Sequence, residues 1–464
     1  MPLDLFARAI GALGPFAFQQ AETARLLDSL QAAPNVKHDG SSGPMPAGNV
    51  GGEEQAPNSE RDHGPWAHRA GVNCLTIDRF EGRYMLSGGA DASIILWDLE
   101  AAAKTTNRYT NKPLAKSPRS SSGHKFGITH LSFYPFDSLA FLASSYDHKL
   151  GVYATETLST SASFDLGSVI YSHDVSNVAD HLLVACATQH PAVRLVDLRS
   201  GASAHSLAGH QGAVLSVAWS PKDEHILASG GIDGTARVWD IRRSAGSLGL
   251  LDLEDSLGVG GEDGFGTNAM PRSRGKAHVG PCNGVVWRDD GRFVVTAGHD
   301  ERVRVWDVSS GANTLSHFGP IIKNTILSTL LPPIIPSTVG SPRETFMIYP
   351  NEKEILMFDL HEGSLLKRLR VPGANVAQAY AGTGSRNVKT RVTSIAWKAH
   401  DLEMYSAHSD GFIRTWKPTT KIDTDLDREE AEGVVDIEDN ERKRKREALD
   451  EMFRDLTRQK ITFT

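Results

Sequence analysis

The chain has 464 residues, 40% of them hydrophobic, with 43 glycines, 22 prolines and a formal net charge of −7. That length admits one large domain or a few ordinary ones, and the glycine and proline content fits a turn-rich β protein. The negative balance argues against a protein that mainly coats a phosphate backbone, and no apolar run reaches the roughly 18 residues of a spanning helix, so no membrane partner is expected. Cys74, Cys186 and Cys282 are the three cysteines, with no Cys-x-x-Cys pair. They cannot frame a disulfide scaffold and point to a reducing, intracellular compartment.

Residues 1–33 predict a helical hairpin. Leu5, Phe6, Ile10 and Leu13 recur at helical spacing up to Gly14-Pro15, then Ala21, Ala24, Leu27 and Leu30 do so with Glu22, Arg25 and Asp28 outside. Ala9–Phe18 is uncharged and superficially like a signal peptide, but Gly14-Pro15 breaks it and nothing downstream reads as secreted. Helices this short are marginal alone, so the hairpin needs a surface, its own chain's or a partner's groove. Residues 34–65 are Gly/Pro/Ser-rich without periodicity and read as a flexible linker.

The stretch 208–243, AGHQGAVLSVAWSPKDEHILASGGIDGTARVWDIRR, sets the pattern of residues 66–418. Gly209-His210 leads into an apolar strand, a second strand ends near Ser229, Asp233-Gly234 turns the chain, and a third strand ends in Trp239-Asp240. A Gly-His start and a Trp-Asp end over about 40 residues mark one blade of a WD-repeat β-propeller. Asp233 is expected to accept from His210 and His210 to bond Ser229, with Trp239 alongside. Such a buried polar chain must be fully satisfied, so these four residues read as a structural tetrad. Asp91, Asp147, Asp233, Asp300 and Asp410 each precede an aromatic (Trp97, Tyr153, Trp239, Trp306, Trp416) by six residues. A looser third repeat contains His173, and a sixth, about 324–371, alternates apolar residues without His or Trp. The expectation is an all-β, seven-bladed WD-repeat β-propeller with an N-terminal helical hairpin and a C-terminal amphipathic helix. A strand from residues 34–65 is expected to complete the last blade.

Two connections are oversized: 101–122, basic and Ser-rich with Tyr109 its lone aromatic, and 244–276, Gly-rich with an acidic middle. Segments this long are functional or disordered, and disorder is the expectation. After Trp416 the composition shifts. Residues 423–441 carry ten acids against one Arg, and Arg442–Arg446 is a basic run that reads either as a nuclear import signal or as a solvated face. Residues 419–446 thus read as an acidic-then-basic disordered tail. Leu449, Met452, Phe453 and Leu456 space a helix over 447–464. No HExxH, phosphate loop or GxSxG occurs, so no catalytic residue, cofactor or metal is expected.

Residues 71–100, GVNCLTIDRFEGRYMLSGGADASIILWDLE, resemble the first blade of the Cockayne syndrome group A family, and ITHLSFYPFDSLAFLASSYDHKLGVY, VIYSHDVS and LVDLRSGASAHSLAGHQGAVLSVAWSP resemble later ones. The resemblance covers about residues 1–418. It implies a substrate receptor of a cullin-4 RING ubiquitin ligase in transcription-coupled nucleotide excision repair, located in the nucleus. The implied partners are the ligase's three-propeller damage-binding adaptor, with the group B ATPase and stalled RNA polymerase II as clients. Two elements match the family's adaptor-binding devices. One is the opening segment, with Leu5, Phe6, Arg8, Ile10, Leu13 and Phe16 as candidates. The other is Trp239-Asp240-Ile241-Arg242, with a degenerate copy at Val196–Arg199, making Asp240, Arg242 and Arg199 candidates. A planar Arg fork just past the strand suits a carboxylate or carbonyl. The alternative is a nuclear WD-repeat scaffold not bound to a ligase. Direct nucleic-acid binding has only the basic segment 104–119 behind it, against an unfavourable net charge.

Overall fold

The computed structural model describes residues 8–12, 14–41, 66–101, 103–105, 108–201, 203–243, 247–253, 275–336, 345–371, 391–399 and 401–419. The expected C-terminal helix, the tail beyond residue 419, most of the 34–65 linker and the acidic middle of 244–276 lie outside them. The chain divides into a compact unit Met1–Lys417 and a second, Pro418–Thr464, of which only Pro418 and Thr419 are described.

The first unit is a seven-bladed β-propeller. Blade 4 shows the rule. Val214–Trp219, Ile226–Gly231, Ala236–Asp240 and Ser247–Leu251 form an antiparallel meander, innermost strand first. Its strands read as nearly continuous apolar runs because neighbouring blades cover both sheet faces. Leu227 and Trp239 pack toward blade 3, while Ala228 and Val238 pack toward blade 5. Trp97, Trp239, Trp306 and Trp416 are fully buried on the third strands of blades 1, 4, 5 and 7, and Tyr153 takes that place in blade 2. Blade 6 is the degenerate one, with three strands (Phe346–Pro350, Glu354–Asp359, Leu365–Arg370). Its inner edge is a single bridge from Ile334 to Met347. Pro332 and Pro333 lack the N–H groups a ladder requires, which explains the missing strand.

The ring closes with a strand from the other end of the chain. Leu30–Ala32 is the outer strand of blade 7, beside Ile413–Pro418, and Ala33 N–H donates to Thr415 O at 2.9 Å. The expectation of a closing strand within 34–65 is therefore corrected. The strand lies just upstream, in what reads as the end of the second helix, because Leu30 is needed in the core between blades 6 and 7 beside Ile355, Met404 and Trp416. Val36–His38, expected in the linker, pairs in parallel with Arg108–Asn111. His38 is buried with its ring edge-on to Trp97 and Tyr405.

The basic connection 101–122 is also ordered where described. Ala103–Thr105 and Arg108–Asn111 form a hairpin, and Pro113–Ser117 is the outer strand of blade 1. Lys116 donates to Gly40 O at 2.8 Å, spending one of the cations that suggested a nucleic-acid surface. Ser247–Leu251 likewise converts the start of the second long connection into the outer strand of blade 4.

The N-terminal segment is helical at Arg8–Ala9, turns at Gly11, φ 75°, and becomes helical again as α1 (Pro15–Asp28); residues 1–7, where the first helix of the expected hairpin begins, lie outside the described residues. Proline at the first helical position presets the backbone, and Gly14 before it is extended. Leu27, buried, and Ala24 anchor the end of α1 on blades 6 and 7. First strands begin at one end of the ring, here the upper face. Third strands end at the other, the lower face. Since Ala33 sits beside Thr415 and Gly40 lies against Ala67 near Gly411, residues 30–40 climb from the lower face to the upper. Helix α1 therefore stands at the lower face.

Candidate protein-docking faces

The blade 4 network sits at the upper face. His210 Nε2 is 2.7 Å from Ser229 Oγ, and Trp239 Nε1–H donates to the same oxygen at 2.7 Å. Asp233 lies 3.3 Å from His210 Nδ1 and accepts the N–H groups of Gln211 and Thr235 at 2.9 and 3.0 Å. A fifth group joins the expected four. Thr235 Oγ1 donates to Asp233 at 2.8 Å and stands 2.9 Å from His210 Nδ1, so a hydroxyl bridges the imidazole and the carboxylate. Ser93 does the same between His68 and Asp91. The signal was present in sequence as a hydroxyl two residues after each aspartate. Burial alone would raise the Asp233 carboxyl, but His210 and the two amides outweigh it and hold it below the usual carboxylate range.

These groups are consumed by one another and present nothing to a substrate. Burial pushes the Cys186 and Cys282 thiols up to about 12, far from a nucleophile's range. Among the described residues no group of His, Cys, Asp and Glu is arranged to hold a metal.

The lower face carries the charged motif. Arg242 lies just beyond the third strand of blade 4, and its Nε and Nη2 donate to the two oxygens of Asp240 at 3.0 and 2.9 Å. Asp240 also caps the turn by accepting Arg242 N–H at 3.1 Å. The fork is thus folded back on its own motif, and this pair holds the Asp240 carboxyl down at about 2. The guanidinium is still 64% exposed, so its remaining N–H groups face solvent from a fixed position. In blade 3, Asp197 accepts Arg199 N–H and Ser200 Oγ–H at 2.9 and 3.0 Å, while the exposed Arg199 guanidinium has no ion pair to it. Two further pairs escaped the sequence reading. Arg83 binds Asp98 at 2.7 Å and Arg292 binds Asp307 at 2.9 Å, each from a Gly-Arg-aromatic step opening the second strand. Lower-face arginine–aspartate pairs thus recur in blades 1, 4 and 5.

Helix α1 ends at this face. Phe16 and Ile10 are 58% and 63% exposed, and the Arg8 guanidinium lies 4.8 Å from the Phe18 ring centroid. Leu5, Phe6 and Leu13 fall outside the described residues. The structure thus places Arg199 and Arg242 at the lower face, where α1 ends at Asp28 in a different sector of the ring, while Arg8, Ile10 and Phe16 lie at and before the opposite end of that helix. Missed in the sequence was the anchor of α1: Lys367, on the outer strand of blade 6, donates to the Asp28 carbonyl.

These blades make the fold a WD-repeat β-propeller. The WD domain, G-beta repeat, profile matches residues 65–98, 201–240 and 271–307, on blades 1, 4 and 5, whose His–Ser/Thr–Trp links are complete. The chain is similar to WD repeat-containing protein ATCSA-1 of Arabidopsis thaliana, 29% identical over 80% of this chain and 90% of that one. It is also similar to Radiation-sensitive protein 28 of Saccharomyces cerevisiae, 27% identical over 41% of this chain and 40% of that one. Ribosome biogenesis protein ytm1 of Aspergillus niger is 28% identical over 52% of this chain and 53% of its own.

Proposed function

We propose that the chain is the substrate-recognition subunit of a cullin-4 RING ubiquitin ligase acting in transcription-coupled nucleotide excision repair, in the nucleus. The observation that carries the reading is the pairing of an exposed apolar start on α1, a helix anchored by its end at the lower face, with the Asp240–Arg242 pair of that face. Together they offer an adaptor propeller an apolar anchor for a groove and an oriented cation some distance away, an arrangement that gives specificity by geometry. Similarity to ATCSA-1 along most of both chains, and to a radiation-sensitivity protein, supports the repair setting. The propeller would supply no catalytic group. It would hold the client, stalled RNA polymerase II or its associated group B ATPase, near the ligase's charged conjugating enzyme, making ubiquitin transfer effectively intramolecular.

Co-precipitation of the cullin-4 adaptor with wild type, Phe16→Asp and Arg242→Ala tests this reading. Binding lost in the first and weakened in the second is the expected result. The second reading, a nuclear scaffold not bound to a ligase, draws on the packing of Leu27 and Ala24 against blades 6 and 7, which makes α1 partly a cap on its own ring. Unchanged adaptor binding in both variants would select it.

A further inference from the structure

The connection from blade 5 to blade 6 does not skirt the ring; it crosses the upper mouth of the central channel. Asn283, on the first strand of blade 5, donates to Ser328 O at 2.7 Å and Ile326 O at 3.2 Å. Thr329 Oγ1 donates to Tyr171 O of blade 3 at 3.1 Å and to Leu215 O of blade 4 at 3.3 Å. Arg391, entering blade 7, donates to Ser328 Oγ at 3.3 Å. One short segment thus spans four blades and gives the channel mouth a floor.

On that floor stands a cation, Arg391, in the same pocket as the Glu352 carboxylate but not ion-paired with it. Among the described residues Arg391 forms no ion pair, and Glu352, the carboxylate whose field reaches it, accepts from Thr325 instead. The adjoining residues 372–390 contain no Asp or Glu. Burial lowers the Arg391 pKa, with Glu352 and Tyr146 acting in the opposite sense. Around it are apolar groups that the fold leaves uncovered. Ile326 and Leu327 are 43% and 46% exposed, Tyr146 lies close enough to couple electrostatically with Arg391, and Phe126 adjoins the Tyr146 turn beside the exposed Lys125.

We propose that this upper face recognises an acidic peptide segment of a partner protein, Arg391 taking a carboxylate and Phe126, Tyr146, Ile326 and Leu327 taking the apolar side chains that flank it. A ligand carboxylate would give Arg391 the direct ion pair that it does not form with Glu352, and a guanidinium fork beside aromatic rings suits such a ligand. The surface is opposite the one proposed for the adaptor and stands whether or not a ligase is attached.

The test is fluorescence anisotropy with two degenerate peptide libraries, one with Asp or Glu between Leu, Ile, Phe or Tyr, the other with Asn or Gln in the acidic place. Wild type should bind the acidic library at least about tenfold more tightly than its amide counterpart. Arg391→Gln should erase that preference, and Tyr146→Ala should weaken binding to both libraries. Adaptor co-precipitation should persist in both variants, which separates this site from the lower face; thermal unfolding identifies a variant that fails to fold, and Tyr146→Ala then carries the test. Equal binding of the libraries, no binding of either, or an acidic preference that survives Arg391→Gln would overturn the proposal. So would a single-stranded oligonucleotide that binds more tightly than the acidic library and is lost on Arg391→Gln, which would make the site a phosphate reader.

Discussion

Replacing Asp233 with Ala removes an acceptor that four groups share: the Gln211 and Thr235 amides, the Thr235 hydroxyl and His210. Gln211 is exposed and recovers its bond with water. His210 Nδ1 keeps Thr235 Oγ1 at 2.9 Å, so the imidazole is not orphaned. The remaining loss is the buried turn amide and the charge, which at about 1–3 kcal/mol for an unsatisfied buried group gives about 2 kcal/mol. Asp233→Asn, which keeps an oxygen in place, should cost about half of that. Adding Thr235→Val to Asp233→Ala should cost more than the sum of the two single changes, because the hydroxyl is the substitute partner. Urea unfolding gives the midpoints, and hydrogen exchange of the Ala236–Asp240 amides localises the loss to blade 4. A pH series adds a sign. The folded-state carboxyl is held below the ordinary value near 3.9, so its contribution is present above about pH 4 and drains as pH falls through the folded pKa. Asp233→Ala should flatten that acid limb. Wild-type stability in Asp233→Ala, or strict additivity with Thr235→Val, would refute the shared-acceptor account.

Other perturbations probe the closure and the lower face. Deleting residues 1–28 should leave a closed ring with a modestly lower thermal midpoint, whereas deleting 1–33 also removes Leu30–Ala32, the outer strand of blade 7, and should lower the midpoint much further; equal midpoints would contradict the closing strand. Gly411→Ala should cost about 2 kcal/mol or more, since its φ is 85° and a Cβ would lie 2.5 Å from the His68 carbonyl across the blade 7–1 seam; an unchanged midpoint in thermal unfolding would show that the seam yields. His38 is held at about 4 by burial, below free imidazole near 6.5, so its neutral form stabilises the fold above about pH 6.5 and that support is lost as pH falls toward 4; His38→Gln should reduce the proton uptake of acid unfolding over that window, read from stability against pH. Arg242→Ala should leave the thermal midpoint nearly unchanged because the Arg242 side chain lies mostly in solvent, so an adaptor defect in that variant would report docking rather than folding.

Within the chain itself, the six-residue step from aspartate to aromatic was enough to place the third strands and buried rings of blades 1, 2, 4, 5 and 7. That step is local: one turn and half a strand fix it, so it survives in any tertiary setting. Trp239 and Arg242 were likewise legible because each sits at a defined point of its own blade. What closes the ring was not legible. Leu30–Ala32 has helical spacing behind it and no partner nearby in sequence; only Ile413–Pro418, at the far end of the propeller, makes it a strand. The basic residues of 101–122 read as a disordered surface because the edges that Arg108–Asn111 and Pro113–Ser117 join are supplied by Val36–His38 and Ile94–Asp98. The channel floor is more remote still. Ser328 and Thr329 have no motif, and their role arises when blades 3, 4, 5 and 7 bring four unrelated backbone and side-chain groups to one mouth. Sequence thus determined the blade, whose interactions lie within some 40 residues of one another. The tertiary structure decided the closure, the faces and the unpaired charge, because hydrogen-bond partners separated by hundreds of residues meet only once the ring has formed.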